Sequence, residues 1–309
     1  MRWEKLGIVY CPDGDQEWAR THAMLPTPIA LPELGVIRIF ITCCDSAGIS
    51  RPGFVDVSAD DPACVVNRSA GPLMEIGAPG TFDESGVLAT SVVRSPDGRL
   101  WMYYVGFELG TKIRYRLLSG LAVSTDHGLS FTRHSPTPIL ERSAQDLYFR
   151  GGPYVVVEKD RFRMWYVGGS SWLEVNGKTL PEYRIKYLES TDGVTWSGDG
   201  QVVIDITRDD EHGFGRPWVT EHPQRGYSMY YSIRRKSLGA YRMGYATSRD
   251  GLVWDRQDDA IGLDAGPDAY DNHAIMYAAV VEVGGRTYCY YNGNDFGKDG
   301  FAVAVRESA

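Results

Sequence analysis

A strand-and-turn pattern that recurs along the chain limits its possible folds more than any other sequence feature. An aromatic-rich strand is followed, after a gap, by a strand of small residues, a Ser-x-Asp-Gly turn or a close variant, and an aromatic residue. The clearest copies have their turn aspartates at Asp126, Asp192 and Asp250, roughly 60 residues apart. Repeats of this length that contain strands and no helical pattern are typical of β-propeller blades.

Further short strands bounded by Gly, Pro or Asp extend the pattern, and five units can be counted. They cover approximately residues 36–56, 86–131, 152–196, 217–254 and 274–305. No linker or low-complexity segment separates them. The sequence therefore predicts an all-β fold, a five-bladed β-propeller of four-stranded antiparallel blades, with residues 1–309 forming a single domain.

Composition limits the partners and the compartment. The net charge of −8 argues against nucleic acid as the main partner, because phosphate backbones require a basic surface. The five cysteines are odd in number and include the adjacent Cys43 and Cys44, which makes a poor disulfide framework. No segment approaches the roughly 20 apolar residues of a membrane span, and residues 1–7 lack a signal-peptide pattern. We predict a soluble, cytoplasmic protein without a membrane partner.

The repeated turns are best interpreted as structural. Aspartate and glycine favour tight turns, and the aspartate side chain can accept hydrogen bonds from nearby backbone amides. The copy at 124–131 is similar to the Asp-box of sialidases, a motif that is itself structural and also occurs in other proteins.

Polar residues before each inner strand are the candidates for function. The innermost strand of a propeller blade lines the central axis, so the loop before it reaches the axial funnel. Each such loop carries a histidine, a carboxylate or an arginine. These residues are His22, Asp83, Glu84, Asp146, Arg150, Glu211, His212, Arg216, Asp271 and His273.

Carboxylates at these positions suggest glycosyl transfer. Glycosidic cleavage requires one carboxylic acid to protonate the leaving oxygen and one carboxylate as base or nucleophile. We predict Asp83 as the leading catalytic residue, because it is flanked by hydroxyl residues and Gly86 leaves space beside it. Glu211 or Asp271 is the predicted partner, and His212 beside Glu211 could orient or tune a neighbour.

Arginines at strand edges suggest an anionic substrate. Arg51, Arg150 and Arg216 each lie beside Pro or Gly, and guanidinium groups converging on one funnel would bind a carboxylate or phosphate. No histidine spacing is typical of a metal site, so we predict neither metal nor cofactor. The other predicted substrate-binding residues are His22, Glu84, His212, His273, Asn292 and Asn294, the last two as a sugar-binding rim.

The chain resembles the five-bladed propeller glycoside hydrolase superfamily, which includes families 32, 43, 62, 68 and 130. The resemblance covers nearly the whole chain and rests on motifs such as 163–166 and 190–196. Short motifs at 51–56, 80–86 and 291–294 are similar to motifs in an uncharacterised branch of this superfamily that is associated with polysaccharide biosynthesis. Families 32 and 43 place a catalytic aspartate where this chain has Thr21 and His22. Family 130 is similar in another respect, since it uses one protein acid and a cationic phosphate site.

The resemblance implies a glycoside hydrolase-like enzyme that cleaves or transfers a glycosyl group in the central funnel. Together with the arginines, it suggests an anionic or phosphorylated glycan as substrate, with phosphate or another anion as a further ligand. Two alternatives remain open, a glycoside phosphorylase and a non-catalytic carbohydrate-binding propeller. No nucleotide-binding motif supports a glycosyltransferase.

Overall fold

The computed structural model describes residues 1–175 and 177–307 and is almost entirely composed of β-strands. Short 3₁₀ helices occupy Glu17–Ala19, Pro32–Leu34, Asp258–Ile261 and Asn294–Phe296. The strands are β1 Trp3–Tyr10, β2 Thr21–Leu31, β3 Val36–Cys44, β4 Ser50–Ser58, β5 Val65–Arg68, β6 Val87–Arg94, β7 Leu100–Leu109, β8 Tyr115–Ser124, β9 Thr132–Arg133, β10 Phe149–Val157, β11 Phe162–Val175, β12 Lys178–Ser190, β13 Gln201–Ile204, β14 Glu211–His222, β15 Gly226–Arg235, β16 Ala240–Ser248, β17 Asp255–Arg256, β18 Met276–Val283, β19 Arg286–Asn292 and β20 Phe301–Arg306.

Antiparallel pairing arranges these strands in five groups of four. Groups one to four are β2–β5, β6–β9, β10–β13 and β14–β17 in chain order. Group five contains β18, β19 and β20, and β1 from the beginning of the chain completes it by pairing with β20. Short parallel pairings join β8 to β10 and β12 to β14, so groups two, three and four form one continuous sheet.

The first strands of the five groups form a closed ring. β2 contacts β6, β6 contacts β10, β10 contacts β14, β14 contacts β18, and β18 returns to β2. The second strands are enclosed between neighbouring groups. In β11, for example, six consecutive residues, 162–167, are buried. A strand that is covered on both faces reads as a continuous apolar run, which explains the aromatic runs in the sequence.

Each first strand carries a β-bulge at a corresponding position. The register of pairing shifts between Met24 and Thr27 in β2, and equivalent shifts occur in β6, β10, β14 and β18. Leu25, Arg216 and Tyr277 lie at these bulges with positive φ angles of 55°, 39° and 60°. In a regular strand, side chains point alternately to the two faces of the sheet. A bulge interrupts this alternation, so the residues at these positions can face the centre of the ring.

The Ser-x-Asp-Gly turns contain the local hydrogen bonds that the sequence predicts. The Asp192 carboxylate accepts hydrogen bonds from the backbone amides of Val194 and Thr195 at 2.8 and 2.7 Å. Gly193 adopts a φ of 72°, in the left-handed region that glycine tolerates. Asp250 accepts from the amides of Leu252 and Val253 in the same way. Asp126, whose turn has one more residue before the glycine, accepts from the amides of Leu129 and Ser130.

No helix within the described residues is long and apolar enough to cross a membrane.

Candidate functional site

A cavity of about 890 Å³ lies at the centre of the ring. All five first strands contribute to its lining, and in each of them a lining residue lies at the bulge. This volume is within the range of natural small-molecule sites. The five bulge residues are Leu25, Thr90, Gly152, Arg216 and Tyr277.

The lining of this axial cavity is strongly cationic. Among its thirty residues are five arginines or lysines and, within the described chain, no aspartate or glutamate. This contrasts with the chain as a whole, whose net charge is −8. Positive charge concentrated in a concave site attracts anions more than the same charge spread over a surface. The cationic residues are Arg114, Lys178, Arg216, Arg234 and Lys236.

Arg216 is a buried cation without a carboxylate partner. Arg216 is only 3% exposed. Its Nη1 atom donates to the Tyr277 carbonyl at 2.9 Å, and its Nη2 atom donates to the Thr27 hydroxyl at 2.7 Å. Its Nε has no partner, and no carboxylate of the described residues forms an ion pair with it. Burial lowers the pKa of Arg216 to about 9. An anion in the cavity would provide the missing counter-charge.

Arg234 lies among aromatic side chains that line the same cavity. Its Nε donates to the Tyr241 hydroxyl at 2.6 Å, and its guanidinium carbon is 5.7 Å from the centroid of the Tyr183 ring. The hydroxyls of Tyr183 and Tyr241 are 2.8 Å apart. Burial raises the pKa of Tyr183 and of Tyr277 well above the usual value. Both phenols therefore stay protonated at neutral pH.

Asp83, the leading catalytic candidate, lies outside the cavity lining. It is fully buried and accepts hydrogen bonds from Arg133 Nε at 2.7 Å and from the Tyr104 hydroxyl at 3.1 Å. Asp271, also fully buried, pairs with Lys5 at 2.5 Å and accepts from the Tyr291 hydroxyl at 3.2 Å. Each carboxylate thus lies in a turn and has a cationic partner within the protein.

The same arrangement recurs in two more groups of strands. Asp146 pairs with Lys186 at 2.9 Å and accepts from the Tyr166 hydroxyl at 3.3 Å. Asp258 pairs with Arg256 and accepts from the Tyr231 hydroxyl of β15. Four groups therefore each connect a second-strand tyrosine, a buried aspartate and a cation. A contact that is repeated in four groups, by aspartates outside the cavity lining, favours a role in stability over a role in catalysis.

Glu211 is also held in an internal ion pair. It is 1% exposed, and Arg256 donates to it at 2.7 Å. Burial alone would raise the pKa of Glu211, but Arg256 and Arg235 hold it below its ordinary value. The Glu211 carboxyl is therefore ionised at neutral pH, which does not suit a proton donor.

Arg51, Arg150 and Arg216 were predicted to converge on one funnel. Of these three arginines, only Arg216 lines the cavity. Arg51 binds Asp45 and Glu75, each at 2.8 Å. Arg150 is buried and donates to the carbonyls of Glu141 and Gly198 at 2.8 and 2.7 Å. Arg51 and Arg150 are thus engaged within the protein and are not among the lining residues.

The remaining predicted binding residues mainly support the backbone. Asn292 is fully buried and bonds the Leu25 amide and the Ala23 and Gly300 carbonyls, which holds the bulge of β2 in place.

Asn294 accepts from the amides of His273 and Ala274, and Glu84 accepts from the Gly80 amide at 2.6 Å. The His273 side chain is exposed, and His22 bonds the neighbouring Thr21 hydroxyl.

The sequence pattern places the first strands of groups one, three and four too late in the chain, whereas those of groups two and five begin within two residues of the predicted positions. His22 lies inside β2, Arg150 inside β10, and Glu211, His212 and Arg216 inside β14. These positions were expected in loops because glycines and charged residues interrupt the apolar pattern. The strands tolerate them because the bulges and buried ion pairs accommodate polar residues.

Several cavity residues were missed because they come from other strands. Arg234 is the second-last residue of the aromatic strand β15, and Lys236 follows that strand. Tyr183 and Tyr241 come from the third strands β12 and β16. The sequence signal that could have revealed the cationic residues among them was the basic run 234–236, which follows the aromatic residues of β15.

His212 leads to a prediction about pH. It is 3% exposed and lies 2.9 Å from the Pro181 carbonyl, and burial lowers its pKa. The unfolded chain therefore binds a proton more readily, and the free energy of unfolding should fall as the pH falls through about 6.5. Urea titrations at pH 7.5 and 5.5 should show a larger difference for the native protein than for His212→Asn. Equal differences would contradict this assignment.

Comparison with known proteins supplies a relative and a fold. No protein-family model matches the chain. It is 33% identical, over the full length of both chains, to the uncharacterized protein Rv1502 of Mycobacterium tuberculosis (strain ATCC 25618 / H37Rv).

Within the described residues, no group of three or more His, Cys, Asp or Glu side chains could hold a metal ion.

Solved structures of glycoside hydrolases share the fold. One described as a glycoside hydrolase has a TM-score of 0.76 and 18% identity, covering 99% of this chain and 92% of its own. Another represents the GH130 family of mannoside phosphorylases, which contains glycoside hydrolases that target β-1,2 mannosidic linkages. It has a TM-score of 0.70 and 15% identity, covering 99% and 93%. At these identities the likeness shows the fold, and it confirms the resemblance predicted from the blade motifs at that level.

Proposed function

We propose that this chain, which belongs to the same family as protein Rv1502 of Mycobacterium tuberculosis, binds an anionic carbohydrate in its axial cavity. The observation that carries the proposal is the charge of the lining, which has five cationic and no acidic side chains among the described residues. Arg216 adds a buried guanidinium without an ion-pair partner. A ligand carboxylate or phosphate would neutralise this charge through charge-assisted hydrogen bonds.

In this proposal the five groups of four strands are the blades of a five-bladed propeller, and residues 1–309 are one domain. The closed ring of first strands supports this interpretation. All five cysteines have free thiols, which agrees with the predicted cytoplasmic location in a reducing compartment.

The chemistry of the lining favours binding over hydrolysis by two carboxylates. That mechanism requires an acid and a base on either side of the glycosidic bond. Asp83, Glu211 and Asp271 are instead buried in ion pairs with Arg133, Arg256 and Lys5. A non-catalytic carbohydrate-binding propeller is therefore the function that the geometry supports best.

A glycoside phosphorylase is the second candidate. In phosphorolysis the attacking group is phosphate, so the protein must hold an anion beside the sugar. Arg216 and Arg234 favour this candidate, because neither forms an ion pair with a carboxylate of the described chain and both line the cavity. A tyrosine hydroxyl such as that of Tyr241 would then have to supply the proton to the leaving oxygen.

Calorimetric titration with matched ligands tests the proposal. We expect glucuronic acid and glucose 1-phosphate to bind at least about tenfold more tightly than glucose, because only the anions gain charge-assisted bonds in the cavity. The advantage should shrink as the salt concentration rises. Equal affinity for glucose and both anions would contradict the proposal.

Mass spectrometry of longer glycosides then separates the candidates. Incubation with neutral, uronic and phosphorylated oligosaccharides, with and without phosphate, should yield no product from a binding protein. Sugar 1-phosphate formed only in the presence of phosphate would establish the phosphorylase. Free sugar formed without phosphate would establish a hydrolase.

A further inference from the structure

The axial cavity lacks the side chains that usually recognise sugar hydroxyls. Of its thirty lining residues in the described chain, none is Asp, Glu, Asn, Gln or His, so the lining contains no side-chain carboxylate, amide or imidazole. Twelve are apolar instead. They are Met24, Leu25, Cys44, Leu88, Val105, Phe107, Leu109, Leu117, Val167, Val175, Leu180 and Phe296.

Apolar residues are also exposed where the cavity reaches solvent. Leu109, at the end of β7, is 64% exposed, and Phe296 is 42% exposed. Both are lining residues, as are Val175 and Leu180 on the hairpin formed by β11 and β12. Exposed apolar residues that line the opening of a cavity mark a surface for an apolar ligand.

An aromatic wall extends this apolar surface inward. The Phe107 and Tyr115 rings are 5.2 Å apart, and Tyr115 is 5.2 Å from Trp172. On the other side, the Tyr241 ring lies 6.1 Å from Phe296. The cations occur within the same lining, with the Arg234 guanidinium carbon 5.9 Å from the Phe296 ring. Apolar and cationic groups therefore face one space together.

We infer that the ligand of this cavity is amphipathic, a sugar joined through phosphate to an aliphatic chain. The inference rests on the proposed function and specifies its ligand. Arg216 and Arg234 would hold the phosphate, and the chain would follow the apolar lining towards Leu109 and Phe296. The phosphodiester of such a ligand carries one permanent negative charge and two free acceptor oxygens, which a guanidinium can bind through two parallel hydrogen bonds.

The affinity of alkyl phosphates tests this inference. The probes are inorganic phosphate, butyl phosphate and octyl phosphate below its micellar concentration, with glucose 1-phosphate and octyl β-glucoside for comparison. Each buried methylene strengthens binding about fourfold. Octyl phosphate should therefore bind at least about tenfold more tightly than butyl phosphate or glucose 1-phosphate.

The alternative results have distinct meanings. Glucose 1-phosphate binding with no dependence on chain length would overturn the inference and leave the proposed function intact. Octyl β-glucoside binding as tightly as octyl phosphate would show that charge does not select the ligand, which contradicts the proposed function. No binding of any phosphate would overturn both.

Two variants examine the cavity opening. Leu109→Gln and Phe296→Asn change exposed residues, and asparagine tolerates the left-handed φ of 60° at position 296. Together they should weaken octyl phosphate binding about tenfold and leave glucose 1-phosphate within twofold. Val253→Gln, at an exposed apolar residue outside the lining, is the matched control and should change neither affinity. Unaltered octyl phosphate affinity in the double variant would contradict the placement of the chain.

Discussion

Arg216→Gln should weaken the binding of glucose 1-phosphate by about 100-fold. Removing one partner of a buried, charged hydrogen-bonded pair typically costs 2–5 kcal/mol, and about 2.7 kcal/mol corresponds to 100-fold. Arg216 fits this case because its guanidinium is buried at the bulge of β14 and no carboxylate of the described residues neutralises it. Calorimetric titration of the purified variant measures the change directly.

The structural role of Arg216 requires a separate control. Its donors connect β14 to Tyr277 in β18 and to Thr27 in β2, so the variant can lose stability as well as affinity. The melting temperature is measured first, and titration is performed well below it. Arg225→Gln changes an exposed arginine at the turn between β14 and β15 and should keep full affinity. A folded Arg216→Gln protein that binds glucose 1-phosphate normally would overturn the proposed site.

Asp83→Asn should lower the free energy of unfolding by about 3 kcal/mol. Breaking one side of a buried ion pair leaves the other charge uncompensated, at a typical cost of 3–5 kcal/mol. Arg133 would lose its carboxylate partner, and its side chain is only 24% exposed. Tyr104, which donates to the same carboxylate, would keep a weaker acceptor in the amide. Urea unfolding curves of the native and variant proteins measure the difference.

The same variant tests the catalytic hypothesis that the sequence suggested. Asp97→Asn is the matched control, since the Asp97 side chain is 50% exposed and a surface ion pair contributes little. Its urea unfolding curve should nearly coincide with that of the native protein. If Asp83→Asn unfolded like the native protein but lost turnover of a glycoside, Asp83 would be catalytic after all.

The strands and turns could be predicted from the sequence because they depend on local patterns. The aromatic runs of β7, β11 and β15 follow from burial on both faces. The Ser-x-Asp-Gly turns follow from hydrogen bonds within a few residues, such as those that Asp192 accepts from the amides of residues 194 and 195. The first residue of β14 was predicted less accurately than these strands and turns, because its bulge and polar residues interrupt the apolar pattern on which strand prediction depends.

The candidate site depended on contacts that no local pattern contains. Asp83 and Arg133 are 50 residues apart, and Lys5 and Asp271 are 266 apart, yet both pairs form buried ion pairs. Local patterns were sufficient to predict the all-β fold, its repeated turns and the charged residues near the first strands. The packing of distant strands decides which charges are paired within the protein and which, like Arg216 and Arg234, line the cavity without a carboxylate partner among the described residues. The free energy of a charge depends on its burial and its partners, and both are set when these strands pack together.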